Sequence, residues 1–234
     1  MINPSLDISR LSNDFSTGEI ILIKDFFLPD FAETAHQYLY ELPEENWYVT
    51  AYPAAEELKK HKNLLNTKAN EPFINHLRRL ALAQSKRGNF AFRFKRTWHE
   101  HDMPPEGVER ELKLFFESEV MLSVVRKITG KDILQTSSSF SSCYERGDFL
   151  SRHNDGNNGL VGFVCYFTQN WEQHWGGNIE FTDRETLAPH VSFLPGFNQL
   201  LLFSIKDLAH LQHEVKMVSE HVTGKRLAFS GWFK

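Results

Sequence analysis

The stretch YERGDFLSRHNDGNN, residues 144–158, sets an imidazole, His153, two positions before a carboxylate, Asp155, in a polar segment punctuated by Gly147 and Gly156. Read as a turn, these are ordinary solvated side chains. Read as an extended strand, positions two apart project to the same side, so ring and carboxylate converge on one point. Which reading holds depends on the fold of the chain around them.

From about residue 135 onward, short runs rich in Phe, Val, Leu and Thr alternate with Gly, Asn, Asp and Pro. The runs near 138–145, 160–168, 177–182, 190–194, 198–205, 213–218 and 225–233 predict strands, and their number and spacing predict a sandwich or barrel. The first half reads differently. EIILIKDFF (19–27) has the β-branched content of an edge strand. LPDFAETAHQYLYEL (28–42) predicts a helix, with Pro29 in its first turn and Phe31, Ala35 and Leu39 on one face. Asn70-Glu71-Pro72 starts another, which runs through Ile74, Leu77 and Ala81 to a stop near Gly88. Val108 to Thr129 reads as two short helices, with Ser118 as an N-cap between them and Gly130 as the stop. These helices have amphipathic spacing and no chemistry, so their job is to cover a sheet. The length of 234 residues suits one domain with additions, and no linker, repeat or low-complexity segment divides it. Residues 1–234 are therefore read as one domain, a helical support region (1–134) on a β core (135–234).

A net charge of −4 and a pI of about 6.3 give no global attraction to nucleic acid or to an anionic membrane. Residues 1–20 lack a basic segment followed by an apolar run, and no stretch long enough to span a bilayer occurs, so the expectation is a soluble chain that is not exported. Of the two cysteines, Cys165 lies inside LVGFVCYFT (160–168), where a buried free thiol is the simplest reading. That fits a reducing cytoplasm.

A metal held by His153 and Asp155 needs one more protein ligand, and two His with one carboxylate form the facial triad associated with non-haem Fe(II) oxygenases. Candidates are His174, His190, His210, His213 and His221. His213 opens HEVKMV, whose alternation puts His213, Val215 and Met217 on one face; His210 falls in a loop and His221 near the turn HVTGK. In the last run, KRLAFSGWF (225–233), Arg226, Ala228, Ser230 and Trp232 share a face opposite Leu227, Phe229 and Phe233. An arginine beside small residues on that face makes sense if a ligand carboxylate inside the barrel takes a bidentate pair from it.

The order Tyr144-x2-Gly147-x5-HND, then WGGNIEF, HEV and GKRLAFSGWF, resembles the 2-oxoglutarate and iron(II)-dependent dioxygenases, in particular the prolyl 4-hydroxylase-like branch, over residues 135–234. LLLFSIKDLAHLQHEVKMVSE with RLAFSGWF is most similar to the ribosomal-protein prolyl hydroxylase subgroup, and FFESEVMLSVVRKITGK extends a weaker similarity upstream. The resemblance implies an α+β, mainly β fold: a double-stranded β-helix (jelly roll, cupin-like) with the helices of the N-terminal half packed outside. It implies Fe(II) held by His153, Asp155 and His213, the distal carboxylate of 2-oxoglutarate on Arg226, and a hydrogen bond from Tyr144 to the same co-substrate. O2 as the oxidant, ascorbate as reductant, and hydroxylation with release of succinate and CO2 belong to the same implication. The implied substrate is a prolyl residue in a protein or peptide. A free amino acid or natural-product intermediate is the alternative, and a non-catalytic binding module on the same barrel is the remote one. Related halogenases carry a small residue in place of the carboxylate, so Asp155 implies hydroxylation. The chain departs from many relatives at Ala228, where Arg-x-Ser is common; losing that hydroxyl removes a hydrogen bond of ~0.5–1.5 kcal/mol from the carboxylate site. No nucleic-acid or membrane partner is expected, and no motif signals an oligomeric state.

Gly176 and Gly177 in WGGNIEF read as a tight turn or bulge at the start of a strand. The second H-x-H pair, His99 and His101 in RTWHEHDMPP (96–105), lacks a distal partner and reads as a solvated loop, with Trp98, Arg93 and Arg96 on the preceding extended run as candidates for lining the substrate entrance; the charged stretch 54–72 reads as a solvated helix or loop, in the position of a lid.

Overall fold

The computed structural model describes residues 1–52, 63–97 and 105–234. Trp98, the His99/His101 pair and residues 54–62 of the charged stretch lie outside the described residues. The first half contains α1 (Ile8–Gly18), β1 (Ile20–Lys24), α2 (Pro29–Glu41), β2 (Tyr48–Tyr52), β3 (Asn63–Leu65), α3 (Glu71–Lys86), β4 (Phe92–Arg96), α4 (Gly107–Phe116) and α5 (Glu119–Thr129). The second contains β5 (Thr136–Tyr144), β6 (Phe149–His153), β7 (Val161–Phe167), β8 (Ile179–Asp183), β9 (Pro189–Phe193), β10 (Phe197–Ser204), β11 (Leu211–Val215) and β12 (Arg226–Phe233).

The strands join in the order β1-β10-β7-β12-β5-β4-β6-β11-β8-β9, antiparallel throughout, with β2 along β4 and β3 on β2. β4 is a seam. One edge runs along β2; on the other, Lys95 and Arg96 meet Cys143 and Ser142 of β5, while Phe92 and Arg93 meet Leu150 and Phe149 of β6. A short strand thus bridges two walls, β1-β10-β7-β12-β5 and β6-β11-β8-β9, into a nearly closed barrel. This is the double-stranded β-helix implied by the resemblance.

The helices end where local chemistry ends them. The Ser118 hydroxyl accepts from Met121 N at 3.3 Å and starts α5, and Gly130, at φ +66°, stops it. α1 was not legible as a helix; Asp7 caps it through Arg10 N, and it packs on α5. Helices α1, α2, α4 and α5 cover the outer face of the β10-β7-β12-β5 wall. Leu227, Phe229 and Phe233 of β12, with Phe163, Cys165 and Phe167 of β7, point out into this layer. Phe116 of α4 sits at its centre, stacked on Phe163 at 4.5 Å and tilted on Phe229 at 5.2 Å. Removing such a side chain from water contributes ~1.5–3 kcal/mol. Residues of opposite parity, Tyr166, Leu201, Phe203 and Ala228, turn into the barrel. Cys143 and Cys165 are buried free thiols. Among the described residues, no helix is long and apolar enough to cross a membrane.

Candidate metal centre and its cavity

The opening stretch is extended up to His153, which ends β6. β11 pairs antiparallel with β6 so that His213 is the direct cross-strand partner of His153, and their rings lie 4.3 Å apart. Asp155, two residues past His153, turns back toward both. Its Oδ1 is 3.8 Å from His153 Nε2 and its Oδ2 is 3.7 Å from His213 Nε2. One donor atom from each residue lies within 4.8 Å of the others, and among the described residues this is the only such group of three. His174, His190, His210 and His221 are all exposed and outside it.

The donor chemistry suits a divalent cation. His153 Nδ1 is 3.0 Å from the Ser151 carbonyl, which can only accept, so Nδ1 carries the proton and the Nε2 lone pair faces the cluster. Burial, and then the neighbouring His153, hold the His213 imidazole well below its ordinary pKa, so the ring stays neutral. Burial raises the Asp155 carboxyl; His153 and a hydrogen bond from Trp232 pull the other way. A cation among the three would favour the carboxylate outright.

The second element is Arg226, 2% exposed at the start of β12. Its Cα partner on β5 is Tyr144. The guanidinium lies between the Tyr144 ring, at 4.7 Å, and the Tyr166 ring, at 5.2 Å. Nε donates to the Gly177 carbonyl at 2.6 Å, which leaves the two terminal nitrogens for a ligand. Gly177 sits at φ +71°, and a Cβ there would stand 3.0 Å from the Trp171 ring and 3.2 Å from Arg226 Cδ. Trp171 Nε1 in turn donates to the Gly176 carbonyl at 2.8 Å. WGG is therefore a cradle for Arg226 as well as a turn, a role its sequence gave no reason to expect. Among the described residues no carboxylate pairs with Arg226, and a buried cation without a counter-charge calls for an anionic ligand.

Tyr144, 4% exposed, is stacked on Phe94 at 4.8 Å, and burial raises its pKa, so its hydroxyl is a donor. Tyr166 was missed in the sequence. Its hydroxyl is buried outside good hydrogen-bond geometry, beside the guanidinium. In the sheet, Ala228 is flanked by Ser142 of β5 and Tyr166 of β7. Hydroxyls on both neighbouring strands thus stand beside the position that lacks its own. The cross-strand register that brings them there is not visible in one dimension.

The triad, Tyr144 and Arg226 all open onto one cavity of about 560 Å³. That space suits a small dicarboxylate together with part of a second molecule.

The fold and the His-Asp-His triad are similar to those of one class, the 2-oxoglutarate-dependent dioxygenases. Residues 139–234 match the 2OG-Fe(II) oxygenase superfamily model. Among solved structures, the chain is similar to a prolyl hydroxylase from Trichoplax adhaerens in complex with a hypoxia inducible factor peptide fragment, at 20% identity and TM-score 0.60, covering 97% of this chain and 90% of that one. It is also similar to a Pseudomonas putida prolyl-4-hydroxylase, at 13% identity and TM-score 0.55, covering 97% and 98%. A 2OG-Fe(II) oxygenase-family oxidoreductase from Burkholderia pseudomallei gives 12% identity and TM-score 0.56, covering 100% and 92%. At such identities the likeness is one of fold. No curated protein sequence matches the chain.

Proposed function

We propose that residues 1–234 act as one catalytic unit in which His153, Asp155 and His213 hold Fe(II), while Arg226, Tyr144 and Tyr166 hold the distal carboxylate of 2-oxoglutarate. The reaction is hydroxylation of a C–H bond, on a prolyl residue of a protein or peptide. The observation that carries the reading is the opening of the triad and of a buried arginine, with no carboxylate partner among the described residues, onto one cavity. Held by these residues, Fe(II) with 2-oxoglutarate and O2 would supply the oxidant, one oxygen atom going to succinate and the other to the substrate, with CO2 released. The chain's own residues hold, orient and exclude. Ser151 fixes the His153 tautomer, the WGG cradle fixes Arg226, Phe94 fixes the Tyr144 ring, and Phe203, Ile179 and Val215 keep bulk water from the cavity wall.

The Trichoplax relative's peptide complex supports a peptide as prime substrate. The run at 200–220 supports a ribosomal-protein prolyl residue as its finest form. A cytoplasmic setting, with ascorbate returning the iron to Fe(II), completes the reading. The test is succinate release from 2-oxoglutarate with Fe(II) and ascorbate, paired with mass spectrometry of a peptide and free amino-acid panel for a gain of oxygen. Turnover that disappears in His153→Ala, Asp155→Ala and His213→Ala, together with an oxygenated proline, is the expected result. Full activity in the His213 variant would reassign the third ligand; oxygenation of free amino acids alone would move the substrate to the small-molecule alternative. Failure to bind metal and to consume 2-oxoglutarate would leave a binding module.

A further inference from the structure

We propose that a small apolar chamber beside the triad takes up dioxygen and passes it to the metal; this rests on the reading of the triad as an iron site. Strand register places the chamber. On β11, Val215 pairs with Ile179 of β8, and His213 with Phe181. Val215 and Ile179 line the main cavity together with Arg226, whereas Leu211, two residues to the other side of His213, lines the chamber with Phe181, Ile205 and Leu208. Asp155, His213 and Phe203 border both spaces. The Phe203 ring is the partition, 5.2 Å from the His213 ring and 5.3 Å from that of Phe181. Its cross-strand partner on β7 is Gly162, where a Cβ would overlap the ring, so the glycine leaves the partition its place.

The size and chemistry of the chamber set the ligand. Its volume is about 20 Å³, and roughly 10–15 Å³ admits one molecule the size of water. Water needs about 2–4 polar partners, and the chamber offers few. Asn154 is exposed at its rim. The Ser204 hydroxyl is engaged with Asp207, donating to Oδ2 at 2.7 Å and accepting from the backbone N at 3.3 Å. The Asp155 oxygens are turned to the two histidines, at 3.8 and 3.7 Å. Among the described residues the rest of the wall, Phe181, Phe203, Ile205, Leu208 and Leu211, is hydrocarbon. A void walled in this way favours a small apolar molecule over water. On the solvent side, Leu208 is half-exposed on the turn between β10 and β11. The chamber thus lies between solvent and two of the three metal ligands. The main cavity is left to the co-substrate and the prime substrate; with both seated there, a third, small reactant reaches the metal without passing them.

The test uses the full chain and two probes. Xenon is followed by NMR of the Ile, Leu and Val methyls in the Zn(II)-loaded protein, and nitric oxide binding to the Fe(II)- and 2-oxoglutarate-loaded protein by stopped-flow absorbance. Xenon should shift the methyls of Ile205, Leu208 and Leu211, and Leu208→Trp, which fills the chamber from its solvent side, should remove those shifts. In that variant nitric oxide should bind about fivefold or more slowly, because entry then waits on a side-chain motion. Its 2-oxoglutarate affinity should stay within about threefold of the parent's, under one kcal/mol. Leu208→Ala, which widens the same opening, should bind nitric oxide at least as fast as the parent. Ser138→Trp, which narrows the main cavity, should slow nitric oxide less than Leu208→Trp does. Xenon shifts confined to Leu150, Val164 and Val215 of the main cavity would overturn the proposal. So would an unchanged nitric oxide rate in Leu208→Trp, slower binding in Leu208→Ala, or a greater slowing by Ser138→Trp. Failure of the parent to bind Fe(II) and 2-oxoglutarate would instead overturn the reading of the triad, and this inference with it.

Discussion

Replacing Arg226 by Gln removes a buried charge while keeping a polar side chain of similar reach. In the parent protein the guanidinium makes one hydrogen bond, to Gly177 O, and contacts two aromatic faces at 4.7 and 5.2 Å. Its terminal nitrogens are placed for a bidentate pair with the co-substrate carboxylate. Hydrogen bonds to a charged group are worth ~1.5–3 kcal/mol each. Taking ~3 kcal/mol for the pair, at about 1.4 kcal/mol per decade, gives roughly a 100-fold rise in the 2-oxoglutarate KM. Because the distal carboxylate is bound equally before and during reaction, kcat at saturation should change far less. Folding should change little: the variant forfeits two cation–π contacts of ~0.5–2 kcal/mol each but no longer buries a cation that has no carboxylate partner among the described residues, and the two effects oppose. The assay is succinate release against 2-oxoglutarate concentration, with melting curves with and without the co-substrate. The parent should gain Tm on adding metal and 2-oxoglutarate and the variant should not, at concentrations below its raised Kd. A KM within threefold of the parent would refute the assignment and place the carboxylate elsewhere in the cavity.

Two further outcomes test the scaffold. Asp148 is 2% exposed, accepts from Glu145 N at 3.0 Å and lies 3.6 Å from Arg93 Nε, yet burial pushes its carboxyl up to about 7. A raised folded-state value means the folded chain holds the extra proton. The stability it contributes is full below the ordinary value of 3.8 and is lost as pH rises through about 7. The Tm of Asp148→Asn relative to the parent should therefore climb between pH 4 and 8; a flat difference would sink the argument. Phe116 contacts rings on α4, β7 and β12 at the centre of the helix-covered layer, so Phe116→Ala should cost about 3–5 kcal/mol in urea unfolding. A loss under about 1 kcal/mol would mean that the layer collapses into the gap.

Alternation made the inner and outer faces of the barrel legible. In β12, Leu227, Phe229 and Phe233 went to the helices and Arg226, Ala228, Ser230 and Trp232 to the inside, as the parity of KRLAFSGWF requires. Ser118 and Gly130 were readable because a cap is a local event. β2 and β3 were not readable as strands, and β4 was readable only as an extended run before Trp98. They are short, FRFKR carries three basic residues in five, and β4 is held in place by β2 from well before it in the chain and by β5 and β6 from well after it. Such a strand exists because of its neighbours, and propensity contributes little to it. Tyr166 and the WGG cradle were hidden for a related reason: their meaning depends on which strand lies beside them.

The same distinction explains why HND gains its meaning only in the folded chain. The two histidines are brought together by the register of β11 against β6, and register is set by what must be buried. Along β11, Leu211, His213 and Val215 are buried while Gln212 and Glu214 are half-exposed. A slip of one residue would turn Leu211 and Val215 outward and bring Gln212 and Glu214 into the barrel, against Phe181 and Phe203, at a cost of several apolar side chains and a buried charge. The apolar neighbours of His213 therefore hold it at the metal site. A change at Leu211 or Val215 that loosens this register should weaken metal binding without touching a ligand.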